Sequence, residues 1–384
     1  MRRWTGLVPV MCLIALLGAS CGSSGDSSTS PATQATVVTK ATEAPEAQAS
    51  PMRPVMKGPN GEPAVGADAV ELSASDVAKL KAGDHTVAFV WHTTDTFTKA
   101  VEIAARARLA ELGVRVVADT VADFDPAKQR NDLQTVQALK PDVIVTLPVD
   151  ASSSASMFRQ ATRAGSKLVF ISNIPAGFVH NTDYVGVVTT NVVDAAQKSA
   201  MLLGTKLSGK GKIGVLYYDA EFFIVNQWDA AFEETIKTKF PDIEIVARAG
   251  FVDPAKANEP ASAMITRYPD LDGIYVSWQD PAVGVLTALR AAGRKNIAVT
   301  DVGMNETTAL DMARDGNFIG AGVDGPVAMG QALANEVGYA ALGKQAPAFL
   351  VTGSSVLTKE DAIERWPSVY GVQAPESLRE ELGE

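Results

Sequence analysis

The sequence predicts an α/β fold of two Rossmann-like lobes, each built on a parallel sheet, and three observations predict it. Short β-rich apolar runs alternate with amphipathic helical stretches from Thr86 onward, the pattern of a parallel, doubly wound sheet with right-handed crossovers. The cycle restarts after Val188, as a second sheet would. At 384 residues the chain is too long for one ordinary domain and suits two, each able to bury its own core.

In the first array a strand at 86–91 leads to a helix at 96–112, which Gly113 ends. A strand at 114–118, a helix at 126–139, a strand at 143–147, a helix at 151–164 and a strand at 168–171 follow. After an apolar run at 184–188 come a helix at 192–207, a strand at 213–218, a helix at 223–239 and a strand at 243–247. The second array continues through helices at 255–267 and 281–292, strands at 273–277, 297–300 and 318–323, and a long helix at 327–342. Beyond Val351 the pattern gives no clear element.

Arg2 and Arg3 precede an apolar run at 7–17, then small residues before Cys21. That is a secretory signal over 1–20, too short to span a membrane comfortably. The ending Leu17, Gly18, Ala19, Ser20, Cys21 resembles the bacterial lipobox, which implies acylation at Cys21. Cys12 lies inside the signal, so Cys21 is the one cysteine left after cleavage and no intrachain disulfide forms. Residues 22–61 are dominated by Ser, Thr, Ala, Pro, Glu and Gln and read as a flexible tether. A lead-in helix within 62–85, opened by Ser73, joins the tether to the folded body.

Composition bounds the partners. Charged residues make up 20% and apolar residues 46%, as in an ordinary globular protein. A net charge of -10 without clustered Lys or Arg argues against nucleic acid. Residues 204–211 fall one residue short of a phosphate loop and lead from helix into strand, the wrong order. Residues 320–325 match G-x-G-x-x-G but lie too late in the chain for a dinucleotide unit and read as a hinge or close-packed turn. With three scattered histidines and no nucleophile elbow, neither metal, cofactor nor catalysis is expected.

Open α/β sheets bind ligands at the carboxyl ends of their strands. At those ends this chain places Trp91, His92, Asp95 and Phe97, then Ser172 and Asn173, then Tyr218, then Trp278, Gln279 and Asp280. Trp228 follows on the helix after Tyr218. Aromatic faces pack on the C–H faces of a sugar while Asp, Asn and Gln bond its hydroxyls, so the pattern reads as carbohydrate chemistry. Each Trp or Tyr alone is also an ordinary core filler.

These residues resemble the ribose and galactose type of periplasmic sugar-binding protein, the type I solute-binding proteins of ABC importers. The resemblance covers about 86–351. It rests on Asp95, Thr96 and Phe97, on Lys140, Pro141 and Asp142, on Leu147, Pro148, Val149 and Asp150, on Trp278, Gln279 and Asp280, and on Asp324. It implies a three-segment hinge crossing near Thr190, Asp324 and 345–352, with 86–190 plus 325–345 as the N-lobe and 191–324 plus 346–384 as the C-lobe. It assigns Asp95, Phe97 and Asn173 to the ligand from one lobe, Asn226, Gln279 and Asp280 from the other, and Asp324 from the hinge. It implies delivery of the ligand to permease and ATPase subunits, with the protein held to the outer face of the membrane only by its lipid. The family's arginine is absent where Asn226 stands, which argues against an anion. A neutral sugar, polyol or cyclitol is expected, and the carboxylates leave a cation open. A sensor for a membrane receptor and an exported α/β enzyme are the rival readings.

Overall fold

The computed structural model describes residues 56–384 apart from residue 221. The expected signal, Cys21 and most of the expected tether fall outside the described residues. Residues 56–61, expected in the tether, belong to the folded body: Met56 is buried in the core and the Gly58 amide donates to Glu62 O at 2.8 Å. Among the described residues no helix is long and apolar enough to cross a membrane.

The first lobe begins with β1 (Val65–Gly66), α1 (Ala74–Ala82), β2 (Thr86–Trp91), α2 (Thr96–Leu112) and β3 (Arg115–Val121). It continues with α3 (Pro126–Ala138), β4 (Val143–Thr146), α4 (Ala155–Arg163), β5 (Lys167–Ile171) and β6 (Gly186–Thr190). The second lobe takes α5 (Val192–Lys206), β7 (Lys210–Tyr218), α6 (Phe223–Lys239), β8 (Asp242–Phe251) and α7 (Asn258–Arg267). Then come β9 (Gly273–Val276), α8 (Gln279–Ala291), β10 (Ala298–Thr300), α9 (Glu306–Ala313) and β11 (Ala321–Asp324). The chain returns to the first lobe for α10 (Pro326–Ala341) and β12 (Phe349–Thr352). It ends on the second with β13 (Ser354–Leu357), α11 (Ala362–Tyr370) and α12 (Glu376–Leu382).

The first sheet has seven strands in the order β1, β12, β6, β5, β4, β2, β3, all parallel. The second has four, β10, β9, β7, β8, also parallel. Strands β2, β4, β5 and β12 are almost wholly buried, as expected where helices cover both faces of a sheet. Their Val, Ile, Leu and Phe side chains form the first lobe's cores. The helices begin where polar caps permit. Ser73, Asp95 and Asn305 each bond the backbone three residues on and receive a side chain back, closing capping boxes on α1, α2 and α9.

Three segments cross between the lobes and lie side by side. The Asn191 amide donates to Thr352 O at 2.9 Å, and the Thr190 hydroxyl donates to Asp324 Oδ1. The third crossing falls at Gly353, later than the resemblance implied. Residues 349–352 are an apolar run buried throughout, and they pair with β6 so that Leu350 stands opposite Val188. That segment therefore belongs to the first lobe, not the second. The lead-in region likewise contributes more than a helix, since β1 extends the first sheet beyond β12.

Residues 320–325 are the hinge strand β11 and its flanks. A Cβ on Gly322 would lie 1.9 Å from the Ala195 carbonyl of α5, so the glycine is there for close packing. Helices α9, α11 and α12 are absent from the sequence reading. Each is nine residues or shorter and α11 carries Pro367 inside it, so helical periodicity had little length in which to show.

Candidate functional site

Both parallel sheets present their carboxyl edges to one space between the lobes. His92 follows β2, Phe124 follows β3, Leu147 follows β4, Ser172 follows β5 and Thr190 ends β6. From the other side Tyr218 ends β7, Trp278 and Gln279 follow β9, Val302, Gly303 and Met304 follow β10, and Asp324 ends β11. Together they line a cavity of about 80 Å³. One water needs roughly 10–15 Å³ on the same measure, so the space suits a handful of waters or one small molecule.

Of the residues expected at the site, His92, Asp95, Phe97, Tyr218, Trp228, Trp278, Gln279 and Asp324 line this cavity. The remaining four do not. Trp91 is buried in the first-lobe core, stacked on Phe89 with centroids 5.4 Å apart, because strand alternation puts it on the face that Phe89 shares. Asn173 is buried beside the cavity, where its Oδ1 accepts from the Ile224 amide at 3.3 Å across the lobes. Asn226 is exposed and accepts from the Phe222 amide at 3.2 Å. The 3.6-residue period of α6 turns Ile224, Val225 and Trp228 inward and Asn226 outward. Asp280 is half-buried behind the wall in the first turn of α8, accepting from Asn305 Nδ2 at 3.3 Å.

The residues that sequence reasoning missed are mostly apolar or held by unusual backbone. Phe124 and Ser172, the latter expected at its strand end but not assigned to the ligand, have φ of 59° and 59°, left-handed geometry uncommon outside glycine, and both reach the cavity. Ser172, rather than its neighbour Asn173, is the residue after β5 that turns inward. Tyr370 arrives from α11 and donates to Met304 O at 2.7 Å, bracing the wall between lobe and tail. Gly303 has φ 110°, and a Cβ there would lie 2.2 Å from Gln279 Oε1, so its bare backbone gives Gln279 room.

Aromatic contacts stiffen the second-lobe wall. Tyr218 meets Trp278 edge-on at 5.3 Å and Phe222 at 6.0 Å, and Trp278 rests on Phe251 at 5.1 Å. Burial depresses the His92 pKa to about 3, which keeps the ring neutral, and its Nδ1 has no partner. Burial also raises the carboxyls. Asp324 is pushed up to about 6 against the hydrogen bond from Thr190. Asp280 is pushed up to about 6 by burial first and by the charge of Asp95 second. Asp95 is raised by burial although it caps α2, accepting from the Thr98 amide at 2.7 Å. Behind the wall Asp301 is fully buried, both its oxygens lack partners, and burial raises it strongly.

Ser172 Oγ lies 3.2 Å from the Thr189 hydroxyl, with no base hydrogen-bonded to it, and among the described residues no group of three His, Cys, Asp or Glu side chains is placed to hold a metal. The cavity has aromatic walls with a few polar groups from both lobes, the kind of lining suited to a small polar molecule.

The family model described as a periplasmic binding protein domain matches residues 87–345. A xylitol-binding protein of Mycolicibacterium smegmatis is 24% identical over 220 residues, 56% of this chain and 60% of that protein. A D-ribose/D-allose-binding protein of Pseudomonas aeruginosa is 27% identical over 183 residues, 46% of this chain and 56% of its own length. The chain thus spans about three fifths of the curated relatives it matches. Among solved structures, an ABC transporter solute-binding protein from Agrobacterium vitis bound with α-D-tagatopyranose superposes with a TM-score of 0.69. It is 22% identical, covering 76% of this chain and all of that one. One from Bacillus halodurans with bound myo-inositol gives 0.63 at 15% identity, covering 75% of this chain and 99% of that one.

Proposed function

From the premise that the chain belongs to the periplasmic binding protein family, a family of binding proteins rather than enzymes, we propose that it captures a small polyhydroxylated ligand and delivers it to an ABC importer. The ligand frame is a sugar, polyol or cyclitol. The observation that carries this reading is the cavity itself. Gln279 and Asp324 face aromatic rings of both lobes across a space of about 80 Å³, and polyhydroxylated rings and chains present C–H faces and hydroxyl pairs that match such walls. The relatives support it, since the ligands in their names are xylitol, ribose and allose.

Capture works by hinge closure. An open form admits the ligand, and closure is favoured because only the closed form makes contacts from both lobes at once. The permease subunits of the importer read that closed form, and its ATPase subunits power uptake. The family's place outside the cytoplasm agrees with the signal at 1–20, and acylation at Cys21 with a tether behind it holds the binding lobes near the importer.

A thermal-shift screen of the protein against sugars, polyols, cyclitols and amino acids tests the reading. A hundredfold excess over the dissociation constant stabilises by about 2.7 kcal/mol, a shift of several degrees. At least one polyhydroxylated compound is expected to produce it. A shift from amino acids alone, or from nothing in the panel, overturns the assignment.

A further inference from the structure

The cavity is short of positive charge. Asp95 and Asp324 line it, among the described residues neither Arg nor Lys does, and the histidine on its wall, His92, is neutral with an unpartnered, buried Nδ1. Asp280 stands just behind and feels the charge of Asp95. A hydroxyl from Thr190 and the capping bonds from Thr98 satisfy part of these carboxylates without neutralising them. The cation that acts on Asp95 is Lys99, which is exposed on the solvent face of α2. Burial raises the Asp280 and Asp324 pKa values to about 6.

Uncompensated carboxylates in a closing cavity are costly unless a counter-charge arrives with them. A ligand that is only hydroxylated supplies none. A protonated amine supplies the charge, makes charge-assisted hydrogen bonds to carboxylate oxygens, and lies favourably against the faces of Tyr, Trp and Phe rings. The rings are in place, with Phe97, Tyr218, Trp228 and Trp278 lining the same cavity. We infer that the ligand carries one protonated amine on its polyhydroxylated frame and that Asp324 and Asp95 receive it. This inference rests on the proposed function and names the chemical class within it.

Calorimetric titration with two matched pairs tests it: xylitol against 1-amino-1-deoxyxylitol, and D-glucose against D-glucosamine. In at least one pair the amine is expected to bind tenfold or more tightly than its neutral partner at pH 7. Asp324→Asn is expected to abolish that preference, and Asp95→Asn, a second isosteric change, guards against a folding defect in the first. Tighter or equal binding of the neutral member overturns the amine while leaving the polyol reading intact. A preference that survives both substitutions overturns the assignment to these carboxylates. Silence from all four compounds overturns the inference, while the panel of sugars, polyols and cyclitols decides the reading beneath it.

Discussion

The side-chain oxygen of Asn173, on the first lobe, accepts a hydrogen bond from the backbone nitrogen of Ile224, in the first turn of α6 on the second lobe, at 3.3 Å. Ile224 itself is buried among first-lobe side chains, so the start of α6 is seated in the opposite lobe. The bond exists only when the lobes meet. Asn173→Ala should therefore weaken ligand binding about fivefold, the worth of one hydrogen bond of about 1 kcal/mol, and the melting temperature of the ligand-free protein should move little. Titration calorimetry checks it, and unchanged affinity would show that the contact does not bias closure.

Gly303 and Gln279 are coupled by space. Gly303→Ala places a methyl 2.2 Å from Gln279 Oε1 at a backbone φ of 110°, which strains the chain by roughly 1–3 kcal/mol and displaces the amide. Affinity should fall at least tenfold, as it should in Gln279→Ala, but only the glycine variant should also melt several degrees lower. Equal melting points in the two variants would contradict the steric account.

Trp278 is packed against Tyr218 and Phe251 at the cavity wall, whereas Trp91 is sealed in the first-lobe core. Ligand binding should change tryptophan emission, and the double variant Trp228→Phe, Trp278→Phe should remove most of that change. An undiminished signal in that variant would place the ligand elsewhere.

The buried acids make stability depend on pH in a definite direction. Asp324 and Asp280 are raised to about 6 and Asp229, half-buried beneath Ser277, to about 7. Because the folded state holds protons that the unfolded chain releases from about pH 4 upward, their contribution is full below pH 4 and lost as pH rises toward 7. His92, depressed to about 3, acts in the opposite sense below about pH 6.5. With several carboxyls against one imidazole, the ligand-free protein should melt higher at pH 5.5 than at pH 7.5. Asp229→Asn should flatten that slope, and a melting point that rises steadily with pH would contradict the burial of these groups.

Much of the fold was legible because period and punctuation agreed. Strand β2 and helices α2 and α6 sit where the pattern puts them, and Gly113 ends α2. The third crossing was not legible, since an apolar run at 349–352 fits either sheet and only its pairing with β6 decides. At the site, strand-end position identified the polar and aromatic residues near the cavity but not their direction. Asn226 and Ile224 are two residues apart on one helix, on opposite sides of its axis, and which of them faces inward depends on how α6 packs against the first lobe. Phe124 carries no composition signal because left-handed backbone, not residue type, aims it inward.

The central claim is that one ligand bridges two lobes, and the most direct measurement is calorimetric titration of the best compound from the screen into the protein, Asp95→Ala and Gln279→Ala. Asp95 belongs to the first lobe and Gln279 to the second. Bridging predicts that each substitution alone lowers affinity tenfold or more. Full affinity in either variant would contradict it, because the ligand would then be held by one lobe without the other.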